Sequence, residues 1–271
     1  MKKKLRKKLQ KKFGNYINKS MIRIDFIGAP GSGKTTLINE LLAISTIKNA
    51  SNLSQARIDV LSNYFSIDYT SISQRLKSFV INRLLSKNHS AYSKRKLNLF
   101  FGEAMEPYND ILTKILDNLT KTENDFGYLK FKRIGWFIQI LEDTLLVSKY
   151  ANSKIVLCDE SLSSKLLQPD FGLSHKDITN KLRDSLMPSA FVHVRCKEEL
   201  LNKRLLGRKK LTLQHSGMGC DYKEAINESI KTYNIVASEL MKLEIPCLII
   251  NSEDDIDVNL VKIKKFINQL K

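Results

Sequence analysis

The sequence predicts an α/β protein, five parallel strands flanked by helices, and three observations predict it. The stretch Gly28-Ala29-Pro30-Gly31-Ser32-Gly33-Lys34-Thr35 matches the spacing G-x-x-x-x-G-K-[ST] at every fixed position. It is flanked by the apolar run Ile22 to Ile27 and by an amphipathic stretch from Thr35 to about Ala43. Strand-like and helix-like patterns then alternate to the end of the chain, which selects a parallel sheet with crossover helices. A chain of 271 residues, 42% hydrophobic, is long enough to bury one substantial core plus a lid or insertion.

In chain order, residues 1–20 are a basic tail. Leu5, Leu9 and Phe13 recur four apart among lysines, as on one face of a short helix. Three apolar residues bury too little area to hold that helix alone, so weak contact with an anionic membrane surface or nucleic acid is the most the tail implies. The domain proper is read as residues 21–271. Ile22 to Ile27 reads as a buried central strand, and Leu37, Leu41 and Leu42 put an apolar face of the next helix on the sheet. Residues 44–56 read as a polar loop, with a second strand expected around Arg57 to Leu61.

From about 71 to 150 the pattern is helical. One stripe runs through Ile72, Leu76, Phe79, Val80, Ile81 and Leu84, a second through Tyr108, Ile111, Leu112, Ile115 and Leu119, and a third through Phe131, Ile134, Ile138, Leu141 and Leu145. Lys154 to Cys158 is the next strand, apolar after its lysine and ending on Asp159-Glu160. Ser174 to Asp177 resembles a capping box opening a helix that stops before Pro188. Ala190 to Arg195 is a strand and Glu198 to Leu206 a helix. A lid is expected at about 204–221, then a long helix from Tyr222 to Leu243, the strand Pro246 to Ile250 and a last helix through Ile256, Leu260, Ile263 and Ile267.

The chemistry follows from residue types. Glycines at 28, 31 and 33 allow positive φ, so backbone N–H groups converge on an anion at the positive end of the following helix. Residues Gly28 to Thr36 are thus the expected triphosphate cradle, with Lys34 on the β- and γ-phosphates and the Thr35 hydroxyl on Mg²⁺. Asp159 ends an apolar strand, a position from which a carboxylate holds Mg²⁺ directly or through water. Glu160 is placed to accept a proton from an attacking hydroxyl. Arg204 and Arg208, four apart on one helix, would bring guanidinium groups over the γ-phosphate. His193 alternates with Val192 and Val194 and reads as packed rather than catalytic.

These stretches resemble the small-molecule kinases with a phosphate-binding loop, and among them the thymidylate kinase and deoxynucleoside kinase branch. Asp159-Glu160-Ser161-Leu162-Ser163-Ser164-Lys165-Leu166-Leu167-Gln168 is similar to the family stretch D-R-[YFH]-x-x-S-x-x-A-Y-Q, and Leu200 to Arg208 to its lid helix L-x-x-R-x-x-x-R. The resemblance implies sheet order 2-3-1-4-5, ATP and Mg²⁺ as cofactors, and phosphoryl transfer to a nucleoside, nucleotide or sugar. Residues 71–150 would then build the acceptor side, with Arg133, Trp136 and Gln139 against an acceptor ring. Glu160 stands where the family has arginine, which shifts weight from phosphorylated acceptors toward a neutral hydroxyl. The family's acid after the second strand would be Asp59 or Asp68.

The net charge of +17 is uneven, because residues 1–19 hold nine Lys and Arg and no acid. The remaining +8 suits phosphorylated ligands and demands no polyanionic partner. Cys158, Cys196, Cys220 and Cys247 show no C-x-x-C or metal spacing and read as reduced thiols. With neither a membrane span nor a signal peptide in the pattern, a cytoplasmic protein is expected, its oligomeric state open and a homodimer included. The competing expectation is an ATPase or GTPase switch, in which Asp159-Glu160 orients water and the partner is a protein, nucleic acid or membrane surface.

Overall fold

The computed structural model describes residues 21–44, 47–65, 97–121, 127–159, 161–173, 177–178, 186–207 and 222–270. The basic tail, the stripe from Ile72 to Leu84, Asp68, Glu160, Arg208, Cys220, most of the proposed capping box and the lid beyond Gly207 lie outside them. Five strands form one parallel sheet: β1 (Ile22–Ile27), β2 (Ala50–Asn52), β3 (Ile155–Cys158), β4 (Ala190–Arg195) and β5 (Cys247–Asn251). Their order is β2-β3-β1-β4-β5, the one the resemblance implies. β1 is central, pairing Ile22 with Ile155 and Asp25 with Cys158 on one side, and Ile24 with Ala190 and Ile27 with His193 on the other.

The second strand is not where the pattern predicts it. β2 is only Ala50–Asn52, and the residues expected to be that strand lie in a helix, α2 (Leu53–Phe65). The reason is local. The Asn52 side-chain oxygen accepts the Gln55 backbone N–H at 2.7 Å, starting the helix, and Ala56, Val60 and Leu61 bury one helical face. A three-residue strand with serine at its centre leaves no apolar run to read.

Helices cover both faces. α1 (Lys34–Ala43) and α8 (Ile256–Gln269) close one face, where Leu37, Ile38, Leu41, Leu260, Ile263 and Ile267 pack on Ile24, Phe26, Val192 and Val194. The larger cluster on the other side joins α3 (Asn109–Lys121), α4 (Gly127–Tyr150), α5 (Leu162–Leu166), α6 (Glu198–Leu206) and α7 (Tyr222–Lys242) around Ile27 and Phe191. Within α4 the buried side is Phe137, Ile140, Leu141, Leu145, Leu146 and Val147; Leu141 and Leu145 of the predicted stripe are buried and Ile134 packs on the core, whereas Phe131 is 77% exposed and Ile138 also faces outward. Among the described residues no helix is long and apolar enough to cross a membrane.

His193 is packed, as its alternation predicts, with 3% of its surface exposed. Burial first, then the Arg195 guanidinium, push its imidazole down to about 4. The unfolded chain therefore binds more protons than the folded one between that value and about 6.5, so stability is fully present above the window and is lost as pH falls through it. The loss is about 3 kcal/mol at most. Asp143, pushed up to about 6 by burial against the pull of Arg57, works in the opposite sense, so wild type and His193→Gln must be compared. In urea unfolding at pH 7 and pH 4, the variant is expected to lose about 3 kcal/mol less than wild type. Parallel losses would show that His193 titrates alike folded and unfolded.

Candidate active site

The loop from β1 to α1 is shaped by three glycines at positive φ: 151° at Gly28, 90° at Gly31 and 98° at Gly33. Gly28 lies hard on β4, where a Cβ would come within 2.4 Å of the Val194 carbonyl oxygen, so a side chain there forces the strand apart. Gly33 is the residue before α1 and adopts the left-handed conformation with no side-chain cap, leaving the first N–H groups of that helix for a ligand. Leu201 and Leu205 of α6 close on Gly31 and hold the outside of the loop. Ser32 is fully buried, and its hydroxyl has no hydrogen-bond partner among the described residues.

Lys34 Nζ donates to the carbonyl oxygens of Gly28 (2.7 Å) and Ala29 (3.1 Å) and stands 5.5 Å from the Tyr233 ring centroid. The ammonium is thus held at the mouth of its own loop. One residue on, Thr35 Oγ1 donates to Asp159 Oδ2 at 2.8 Å. These residues are 124 positions apart in sequence and meet because β1 and β3 are neighbours and both open onto the carboxyl edge of the sheet. A hydroxyl and a carboxylate in contact are an all-oxygen pair of the kind Mg²⁺ takes, with phosphate oxygens and water completing the shell. The residues present therefore fit both expected cofactors. Beside the loop, Ala29, His193, Arg195, Tyr233 and Asn234 line a cleft of about 470 Å³.

The other predicted residues are placed as follows. Arg204 lies against the outside of the loop: Nη1 donates to Gly31 O (3.3 Å) and Ser252 Oγ (3.1 Å), and Nη2 to Ser252 O (3.3 Å). It ties the loop to the segment after β5. Asp59 is not at the end of β2; it lies within α2 and accepts from Gln55 Nε2 at 2.8 Å. β2 ends on Asn52, an amide already used as the α2 cap, and Leu53 follows, so among the described residues no carboxylate ends β2. Of the residues proposed for the acceptor ring, Arg133 and Trp136 are half-buried on α4 and Gln139 is exposed.

Two features escaped the pattern reading. Lys165, one turn past the acids on α5, is buried with its ammonium 3.9 Å from the Trp136 ring centroid, a close cation–π contact. Asp25, inside the apolar β1, is fully buried and hydrogen-bonded to Arg23 and Ser163. The signal for the second was visible, a charged pair Arg23 and Asp25 interrupting a central strand. Cys158 is buried, Cys196 and Cys247 half-buried, and all three are free thiols; burial, reinforced by the Asp25 carboxylate, pushes the Cys158 thiol well above its usual range.

No protein-family model matches the chain, and no curated protein matches it. Among solved structures it is similar to a deoxyadenosine kinase from M. mycoides with bound dCTP, at 13% identity and a TM-score of 0.43, covering 92% of this chain and 100% of that one. It is also similar to a thymidylate kinase from Ehrlichia chaffeensis, at 13% identity and a TM-score of 0.34, covering 92% of this chain and 99% of that one. Likeness at these levels assigns no role to any residue.

Proposed function

We propose that the chain transfers the γ-phosphoryl group of ATP·Mg to a hydroxyl or phosphate of a small acceptor: a nucleoside, a nucleotide or a sugar. The observation that carries the reading is the 2.8 Å contact between Thr35 and Asp159 beside a glycine loop that ends on Lys34. Magnesium, when bound by that pair, neutralises charge on the β- and γ-phosphate oxygens. Lys34 exchanges its two loop carbonyls for phosphate oxygens, a stronger, charge-assisted contact. The N–H groups at the start of α1 face the same oxygens. Arg204, hydrogen-bonded across Gly31 and Ser252, holds the loop against the segment after β5 rather than reaching over the γ-phosphate, and Arg208 adds positive charge as transfer proceeds. Glu160 takes the acceptor proton. The half-buried Trp136, with the Lys165 ammonium over its ring, offers an aromatic and cationic surface for the acceptor.

The test is ADP release from ATP·Mg, measured with nucleosides, nucleoside monophosphates and free sugars in turn. One acceptor class is expected to raise the rate, and Glu160→Gln to lower the stimulated rate by about 10²-fold while leaving ATP affinity unchanged. ADP release indifferent to every acceptor would speak against a kinase, and full activity in the variant against Glu160 as the base.

A further inference from the structure

We infer that Asp25 is a positioning residue, whose buried carboxylate ties Ser163 of α5 to β1 beside Cys158 and thereby sets Asp159 against Thr35. This rests on the reading of Thr35 and Asp159 as the metal pair of a phosphotransferase.

Alternation along β1 sends Ile24 and Phe26 to the α1 and α8 face and Asp25 to the opposite side, where it has no exposed surface. A carboxylate there is costly unless its oxygens are fully engaged. They are engaged, and by particular partners. Oδ1 accepts from Arg23 Nε at 3.2 Å, and Oδ2 accepts from Ser163 Oγ at 2.5 Å. Cys158 is paired with Asp25 between β1 and β3, so its buried side chain lies beside the same carboxylate. Arg23 is anchored in turn by its own contacts to Leu186 O and, through its backbone N–H, to Ser189 Oγ.

The chain therefore leaves the sheet at Cys158, passes Asp159 and returns at Ser163 to the side chain it left. Ser161 stiffens the turn: its hydroxyl accepts the Ser164 N–H at 3.2 Å as the cap of α5 and lies 3.2 Å from Ser163 Oγ. Asp159 directly follows Cys158, which the sheet holds, and Ser163 is held to the same strand by Asp25, so both described flanks of the acid are fixed. Asp25 makes no contact with Thr35 or Asp159 among those described, so its effect passes through the loop. For stability alone, an apolar residue at this strand position would serve as well as a buried ion pair. Fixing the acid loop is what the pair adds.

The experiment uses the full chain with ATP as the probe, titrated in EDTA and then with increasing Mg²⁺, alongside thermal unfolding. Ser163→Ala is expected to raise the Mg²⁺ concentration for half-maximal strengthening of ATP binding by about 10-fold, the size seen when a group orienting a metal ligand is removed. Metal-free ATP affinity should stay within about 2-fold, and Ser163→Thr should restore the Mg²⁺ response. Asp25→Asn, which keeps an oxygen for Ser163 but cannot accept from both partners, is expected to shift the response in the same direction and provides the reading if Ser163→Ala does not fold. An unchanged Mg²⁺ curve in a folded variant overturns the clasp, as does a loss equal with and without metal. A wild-type protein whose ATP binding ignores Mg²⁺ overturns the metal pair itself and the clasp with it.

Discussion

Lys34→Ala is expected to abolish phosphoryl transfer, by about 10³-fold or more in single turnover, while leaving the fold intact. The two halves of that expectation come from different contacts. Lys34 is half-buried and donates to the Gly28 and Ala29 carbonyls, which belong to its own loop, and it is not part of either apolar cluster. Removing it therefore opens no cavity in either apolar cluster, and the unfolding midpoint should move by no more than about 3 °C. The activity loss is larger because Lys34 is the cation carried by the loop itself, whereas Arg204 is occupied by Gly31 and Ser252. Quenched single-turnover assays and ATP titration of the same preparation check both halves. Transfer within about 10-fold of wild type would remove Lys34 from the role assigned.

Asp159→Asn is the second large effect, and its signature differs. Asparagine keeps an oxygen to accept from Thr35 Oγ1, so the contact that now measures 2.8 Å survives and the start of α1 is undisturbed. What goes is the charge. Transfer is expected to fall by about 10²- to 10³-fold, with a steep rise in the Mg²⁺ required, whereas ATP affinity in EDTA stays near that of wild type. Lys34→Ala should weaken ATP binding with and without metal. A variant pair that behaves alike in the two conditions would contradict the division of labour between ammonium and carboxylate.

The loop, the central strand and the acid at the end of β3 were legible because each is a local signal: a fixed spacing, an apolar run, a change from apolar to charged at a strand end; the sheet order came only through the family resemblance. β4 falls at Ala190–Arg195, where its run of apolar residues predicts it. The convergence of Gly28 to Thr35 with Asp159 followed from parallel topology alone, since both lie at carboxyl ends of neighbouring strands. β2 was not legible because three small and polar residues carry no periodicity, and its stability comes from pairing Ser51 with Val156 in a ladder the local sequence does not announce. The facing of α4 was read correctly at Ile134, Leu141 and Leu145 but not at Phe131 and Ile138, because a long helix with apolar residues on several sides has more than one candidate stripe; Phe137 is buried where Ile138 is not, in contact with Phe171 at 5.3 Å between ring centroids. Asp25 and Lys165 share that obstacle. Their meaning depends on Ser163 and Trp136, which only the fold brings near them.

The measurement that bears most directly on the central claim is the fate of label from γ-labelled ATP·Mg in a single turnover, with an acceptor present and absent, in wild type and in Lys34→Ala. The account predicts label on one class of small acceptor, little free phosphate while that acceptor is present, and neither product in the variant. Label released only as free phosphate, at a rate no acceptor alters and the variant abolishes, would contradict it and mark the chain as a nucleotide hydrolase.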